Sequence, residues 1–337
     1  MALLSLDRLR RRPSPAGDAL VIGLVNNMPD AALKSTERQF QELLAKAAGG
    51  RAVALRMFSF PELPRSAEGQ RHVAQHHEPI EQLWGSEFDG LIVTGAAPAS
   101  PSLEQEPCWP ALARLVEWAE RHTGSTIWSC LAAHVAVRHI DGIERSALDR
   151  KLSGVFECAR TADHPLLALT PARWTTPHSR YNELPQAALR ARGYRILSQS
   201  RAAGADIFVK RCTSLFVFLQ GHPEYDAGAL GREYRRDVVQ FLAGKSDDYP
   251  EMPANYFADE VAEAMQAFRD GALRDRDAAL FERFPALPAM SAPWHDAAVG
   301  LYAAWLAQLS ARRSRRFGWA GLALPVRAAR ALDPTYA

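Results

Sequence analysis

At 337 residues, 47% hydrophobic and 23% charged, the chain has the composition of a folded protein with a substantial core, which excludes bulk disorder. Forty basic and thirty-eight acidic side chains leave a net charge of +2, so no global field argues for nucleic acid or an acidic polymer as partner. No apolar run reaches the roughly eighteen residues of a membrane helix, and four cysteines (Cys108, Cys130, Cys158, Cys212) without CxxC spacing point to a reducing cytoplasm, with neither disulfides nor structural zinc.

Residues 1–17 carry Arg8, Arg10, Arg11 and Arg12 with no apolar leader core after them, and are expected to form a basic tail. Residues 19–25 form a continuous apolar run that ends in Asn26-Asn27-Met28-Pro29, the pattern of a strand buried on both faces. Thr36 and Gln39 make a capping-box signal, after which Phe40, Leu43 and Leu44 share a helical face. Residues 52–60 and 88–95 read as further strands, the latter opening into a Pro-rich loop. Leu112, Leu115, Val116 and Ala119 mark a helix, and residues 126–129 a strand that runs into Cys130 and a second helical stretch at 131–137. This alternation predicts an α/β fold on a mainly parallel sheet flanked by helices. Between residues 151 and 200, short apolar segments alternate with Pro and Gly and predict antiparallel additions. Residues 207–210 and 215–219 read as a hairpin, and 229–242 as a helix. Beyond Pro250 the pattern is loop-rich until a helix at 297–309, and Arg312, Arg313, Arg315 and Arg316 open a basic segment expected to be a tail over 311–337. No internal repeat divides residues 18–310, which are expected to form one domain.

Cys130 falls where a strand turns directly into a helix, a context that holds a nucleophile exposed at the carboxyl edge of a sheet. The helix N-terminus would lower its thiol pKa and offer N–H groups to an oxyanion. A free cysteine is more often a small buried hydrophobe, so a partner is needed. His222 and Glu224, two apart on an extended segment, point the same way, so that Glu224 can orient the imidazole toward a thiol. Pro177-His178-Ser179-Arg180-Tyr181 reads as a polar loop. Arg236 could clamp a carboxylate bidentately, and Lys151 could do so as a point charge. His72, His76 and His77 lack a carboxylate or cysteine at zinc-ligand spacing, and His134 and His139 share no helical face, so no metal is expected. Neither GxGxxG nor GxxxxGK[ST] is present.

Together these segments resemble the homoserine O-acyltransferases of the MetA type, over about residues 20–309. The carriers are Asn27-Met28-Pro29, residues 88–96, Lys151-Leu152-Ser153-Gly154-Val155-Phe156, Pro177-His178-Ser179-Arg180-Tyr181, Gly221-His222-Pro223-Glu224-Tyr225-Asp226 and Asn255-Tyr256-Phe257. The resemblance implies a class I glutamine amidotransferase-like, flavodoxin-like three-layer fold. It also implies acyl transfer from acyl-CoA to the hydroxyl of L-homoserine, an early step of methionine biosynthesis. The route would be a ping-pong through a thioester on Cys130, with His222 as acid–base and Glu224 as its orienter. By the same likeness the backbone N–H groups of Leu131 and Ala96 serve the oxyanion, and Lys151, Ser179 and Arg236 hold the amino-acid substrate. No cofactor is implied beyond acyl-CoA as co-substrate. A cytoplasmic homodimer without nucleic-acid or membrane partners is expected.

In the family a glutamate after the third strand goes with acetyl-CoA and a glycine with succinyl-CoA, and the matching residue here is Ala99. A small neutral side chain leaves room for the distal carboxylate, so succinyl-CoA is the expected donor. Leu131 stands where the family has Trp, and His134 where it has Gln. These departures leave homoserine or serine O-acetyl transfer as alternatives. A glutamine amidotransferase, or a member that has lost catalysis and serves as a binding protein, are the further ones.

Overall fold

The computed structural model describes residues 19–96, 100 and 102–318. Among the described residues nine strands form one sheet: β1 (Leu20–Val25), β2 (Val53–Phe58), β3 (Phe88–Val93), β4 (Thr123–Ser129), β5 (Ser146–Arg160), β6 (Arg173–Glu183), β7 (Arg195–Ser200), β8 (Gly204–Arg211) and β9 (Leu215–Leu219). Their order is β2-β1-β3-β4-β9-β8-β7-β5-β6. The pairs from β2 through β9 are parallel, and those from β9 through β6 antiparallel. The expected mainly parallel sheet with antiparallel additions is therefore half parallel by ladder, with the parallel half forming the centre of the helical sandwich.

The helices are α1 (Asp30–Ala47), α2 (Ala67–His76), α3 (Ile80–Trp84), α4 (Trp109–His122), α5 (Leu131–Asp141), α6 (Gln186–Ala191), α7 (Ala229–Leu242), α8 (Asp259–Arg274) and α9 (His295–Gly318). Strand side chains alternate between two cores, which is why the central strands read as unbroken apolar runs. Leu20, Ile22, Leu24, Ile127, Val217 and Leu219 face α1 and α9, where Phe40, Leu44, Tyr302, Trp305 and Leu306 meet them. Val25, Val93, Trp128, Phe216 and Phe218 face α4 and α5. Gly90 permits α9 to lie close to the sheet, since a Cβ there would stand 2.6 Å from the Trp305 ring.

Several expectations change. The segment 177–181 is strand and not loop, lying within β6 at the sheet edge, where Pro177 forfeits no inner ladder bond. The stretch after Pro250 contains α8, which packs Met265 and Ala272 against Val238, Phe241 and Leu242 of α7. The last helix runs past residue 309 to Gly318, so the segment from 311, expected as a tail, begins as helix. Arg313 there donates to Asp89 Oδ2 (2.8 Å) and to the Ala19 carbonyl (2.6 Å). Residues 1–17 and 319–337, expected as tails, and Ala99 lie outside the described residues.

Candidate active site

β4 and β9 are neighbours in parallel, with Ser129 opposite Leu219, so the residues that follow them emerge together at the carboxyl edge of the sheet. Cys130 donates its N–H to the Leu219 carbonyl (2.8 Å) and starts α5 at φ 51°, ψ −116°. This is a backbone state that a residue with a Cβ adopts only under strain, at a cost of about 1–3 kcal/mol. Cys130 and Leu131 both border the cavity at this edge, where the first N–H groups of α5 have no intrahelical partner. Gly95, just after β3, comes so near that a Cβ on it would lie 3.0 Å from the Leu131 nitrogen and 3.4 Å from Cys130 Cβ. The Leu131 N–H and the Gly95-Ala96 backbone thus border one small space beside the thiol.

His222, three residues beyond β9, is held by its N–H to the Pro177 carbonyl (2.8 Å). Its Nδ1 donates to Glu224 Oε1 at 2.8 Å, which leaves Nε2 for the thiol. The ring stacks on Tyr225 with centroids 4.3 Å apart. Burial alone would push the His222 imidazole down, but the Glu224 carboxylate and a hydrogen bond with Cys130 outweigh it and hold its pKa well above the ordinary 6.5.

Cys130, Leu131, His222, Lys151, Ser179, Arg236, Gly95 and Ala96 line a single cavity of about 430 Å³. Glu224 is buried (7% exposed) behind His222. Lys151 Nζ lies 2.8 Å from Asp237 Oδ2 and 3.6 Å from Glu233 Oε2. Arg236 grips Asp237 Oδ1 with Nε (3.0 Å) and Nη2 (2.9 Å), while Ser179 and Tyr225 donate their hydroxyls to Glu233. The two acids were missed from sequence, although Glu233, Arg236, Asp237 and Gln240 follow the three-and-four spacing of one helical face.

Three further residues line the cavity: His134 and Arg180, both singled out in the sequence without an assigned role, and Arg145, which was not. His134 is pushed down to about 3 by burial, with the Arg180 and Arg145 charges adding to it, so it is neutral and hydrogen-bonded to Gln220 (3.3 Å). Arg180 donates through its Nη atoms to the Asn182 (2.7 Å) and Ala203 (2.5 Å) carbonyls. Arg145 donates to the Ser100 carbonyl (2.9 Å).

His72 and His77 do have a carboxylate partner, contrary to the expectation from local spacing, because Glu37 on α1 accepts from both rings at 2.8 Å. Glu37, His72 and His77 form one group with metal-type donors, and Cys158, His178 and Asp206 another. In the first, each carboxylate oxygen already has an imidazole donor at ordinary hydrogen-bond length.

A family model for homoserine O-succinyltransferase matches residues 10–314. The chain is 46% identical over 303 residues to a homoserine O-succinyltransferase of Methylorubrum extorquens, covering 89% of this chain and 90% of that one. It is 47% identical to a protein so named from Rhodopseudomonas palustris (85% and 87% covered) and 48% identical to one from Bradyrhizobium japonicum (80% and 83%). Among solved structures it is similar to a glutamine amidotransferase from Methylobacillus flagellatus, 16% identical with a TM-score of 0.46, covering 86% of this chain and 95% of that one.

Proposed function

The chain belongs to the homoserine O-succinyltransferase family, and from that premise we infer that it transfers a succinyl group from succinyl-CoA to the hydroxyl of L-homoserine through a thioester on Cys130. The observation that carries the reading is the strained Cys130 beside a His222 whose Nδ1 is tied to Glu224 at 2.8 Å, all within reach of one cavity.

In the first half-reaction His222 Nε2 takes the thiol proton, and the Cys130 thiolate attacks the thioester carbonyl of the donor. The N–H groups of Leu131 and Ala96 stabilise the oxyanion. Collapse breaks the bond to the CoA sulfur, which leaves with the proton from His222, and the succinyl group remains on Cys130. In the second half-reaction His222 takes the homoserine hydroxyl proton, the alkoxide attacks the Cys130 thioester, and the thiolate recovers its proton. Glu224 keeps the imidazole in the required tautomer and stabilises its charged form.

The acceptor is a zwitterion, and the far side of the cavity offers both signs. Arg236 and Lys151 suit its α-carboxylate, and Glu233 and Asp237 its ammonium group. Ser179, whose hydroxyl is committed to Glu233, positions that acid. These pairings between neighbouring side chains keep the buried charges compensated before substrate arrives.

The test is release of free CoA from succinyl-CoA and acetyl-CoA, each with L-homoserine and L-serine, beside a Cys130→Ala control. Succinyl-CoA with homoserine is expected to lead by tenfold or more, and the alanine variant to lose transfer entirely. Transfer that survives loss of Cys130, or a preference for serine, overturns the reading.

A further inference from the structure

We propose that Glu37, His72 and His77 form a binding site for a zinc-type divalent cation, which fastens helix α2 to helix α1. The inference is independent of the acyl-transfer reading, since none of the three lines the cavity that holds Cys130.

Glu37 lies on α1, His72 on α2 and His77 directly after it. Both rings present the same nitrogen to one carboxylate, His72 Nε2 to Oε2 and His77 Nε2 to Oε1, each at 2.8 Å. The Glu37 side chain is only 8% exposed, and among the described residues no lysine or arginine pairs with it. A buried carboxylate is ordinarily matched by a cationic side chain or by a metal. Two imidazole nitrogens and one carboxylate oxygen are a donor set that suits zinc, with a fourth position left to water.

The frame around these donors is held from several sides. His77 donates its N–H to the Val73 carbonyl (2.8 Å), and the next residue, Glu78, donates its own to the Met57 carbonyl of β2 (2.8 Å). The Asn26 side-chain amide, just after β1, donates to the Leu33 carbonyl (3.1 Å) and reaches Glu37 Oε1 at 3.5 Å, so the acid has the outer support that ligating carboxylates use. The three donor atoms lie within 4.8 Å of one another. Neighbouring ligand atoms around a tetrahedral zinc stand about 3.3 Å apart, so the two contacts need open by only about half an ångström. Each ring then carries its proton on Nδ1 and offers the Nε2 lone pair, and His77 Nδ1 has no hydrogen-bond partner that would oppose this. Access separates this group from Cys158, His178 and Asp206, which are all 1% exposed or less, whereas the His72 side chain is 12% exposed and gives a cation a way in.

The experiment is a Zn2+ titration of the chelator-treated full-length chain carrying Cys130→Ala, so that the catalytic thiol cannot compete for the metal. One Zn2+ per chain is expected, with a Tm that rises as zinc is added. Adding Glu37→Gln or His72→Asn to that chain should weaken binding by about 100-fold or more and abolish the Tm response. His76→Asn should keep both, since that exposed ring, although 4.5 Å from His72 between centroids, is outside the donor group. Co2+ in place of Zn2+ should give visible absorption without a thiolate charge-transfer band. Absence of bound zinc overturns the inference, as does binding that survives both Glu37→Gln and His72→Asn. A thiolate band would place the metal on one of the remaining cysteines, and equal loss in His76→Asn would place it on the exposed face of α2; either result overturns the site. Should Glu37→Gln fail to fold, the partly exposed His72 decides. None of these outcomes depends on which acyl group the chain transfers, so failure of that reading leaves the test intact.

Discussion

Asp206 shows how far a buried side chain can depart from ordinary behaviour beside the site. It is 1% exposed at the start of β8, accepts from Ser198 (3.0 Å) and Thr176 (3.4 Å), and has His178 Nε2 at 3.6 Å. Burial raises its pKa from 3.8 to about 6, against the opposing pull of those hydrogen bonds and of Arg180. The folded state therefore holds this proton more tightly than the unfolded chain does. Its contribution to stability is complete below the unfolded value and is lost as pH rises through about 6. Above that the ionised carboxylate costs up to about 3 kcal/mol. Asp206→Asn keeps the acceptor for Ser198 and offers an N–H toward His178, whose own pKa is held well below 6.5 by burial and the Arg180 charge. Thermal unfolding should show a gain in Tm at pH 8 that is several degrees larger than at pH 5. An equal gain at both pH values, or a loss at pH 8, would refute the assignment. None of this was legible in sequence, because Asp206, Thr176 and His178 meet only through the pairing of distant strands. His222 and Glu224, two residues apart, were readable for the opposite reason.

At the scale of elements, the turn from β4 through Cys130 into α5 is the part that most directly couples backbone to chemistry. A positive φ at a residue with a Cβ is tolerated there because the flanking strand and helix are both buried, with Trp128, Leu131, Ala132, Ala133, Val135, Ala136 and Val137 in one core. Glycine adopts that conformation freely. Cys130→Gly should therefore be more stable than Cys130→Ala by about 1 kcal/mol in urea unfolding, although both lack the nucleophile. Equal stabilities would remove the strain argument. The strands that read correctly from sequence are those buried on both faces, such as residues 20–25 and 215–219, where apolar continuity has no competitor. The strand through Pro177 did not, because it lies at the sheet edge and turns Ser179 and Arg180 into the cavity, which erases apolar alternation. Helix α8 was missed for a related reason. It buries only Met265 and Ala272 fully, against a satellite cluster, and presents charge elsewhere.

Taken whole, the molecule assembles its site from the segments after β1, β3, β4 and β9, the paired strands β5 and β6 and one face of α7, so that residues from 28 to 240 converge on a single cavity. The antiparallel half of the sheet is what makes this possible: β6 delivers Pro177 and Ser179 against the His222 segment and α7. The α/β class and the place of Cys130 at a strand-to-helix turn were readable from the order of apolar runs. The order of strands was not, since β5 to β8 are inserted between two neighbours of the parallel sheet, β4 and β9, and local pattern carries no record of such an insertion. The same holds for Arg145, whose contact with Ser100 spans forty-five positions of chain. In the proposed reaction Cys130 takes the acyl group first and homoserine second, with His222 as acid–base for both transfers. Its most direct measurement is rapid-quench release of CoA from succinyl-CoA with no homoserine present. A thioester route gives a burst of about one CoA per active site, with the succinyl group recovered on the Cys130 peptide. Full turnover with homoserine but no burst without it would contradict the thioester and require direct transfer between bound substrates.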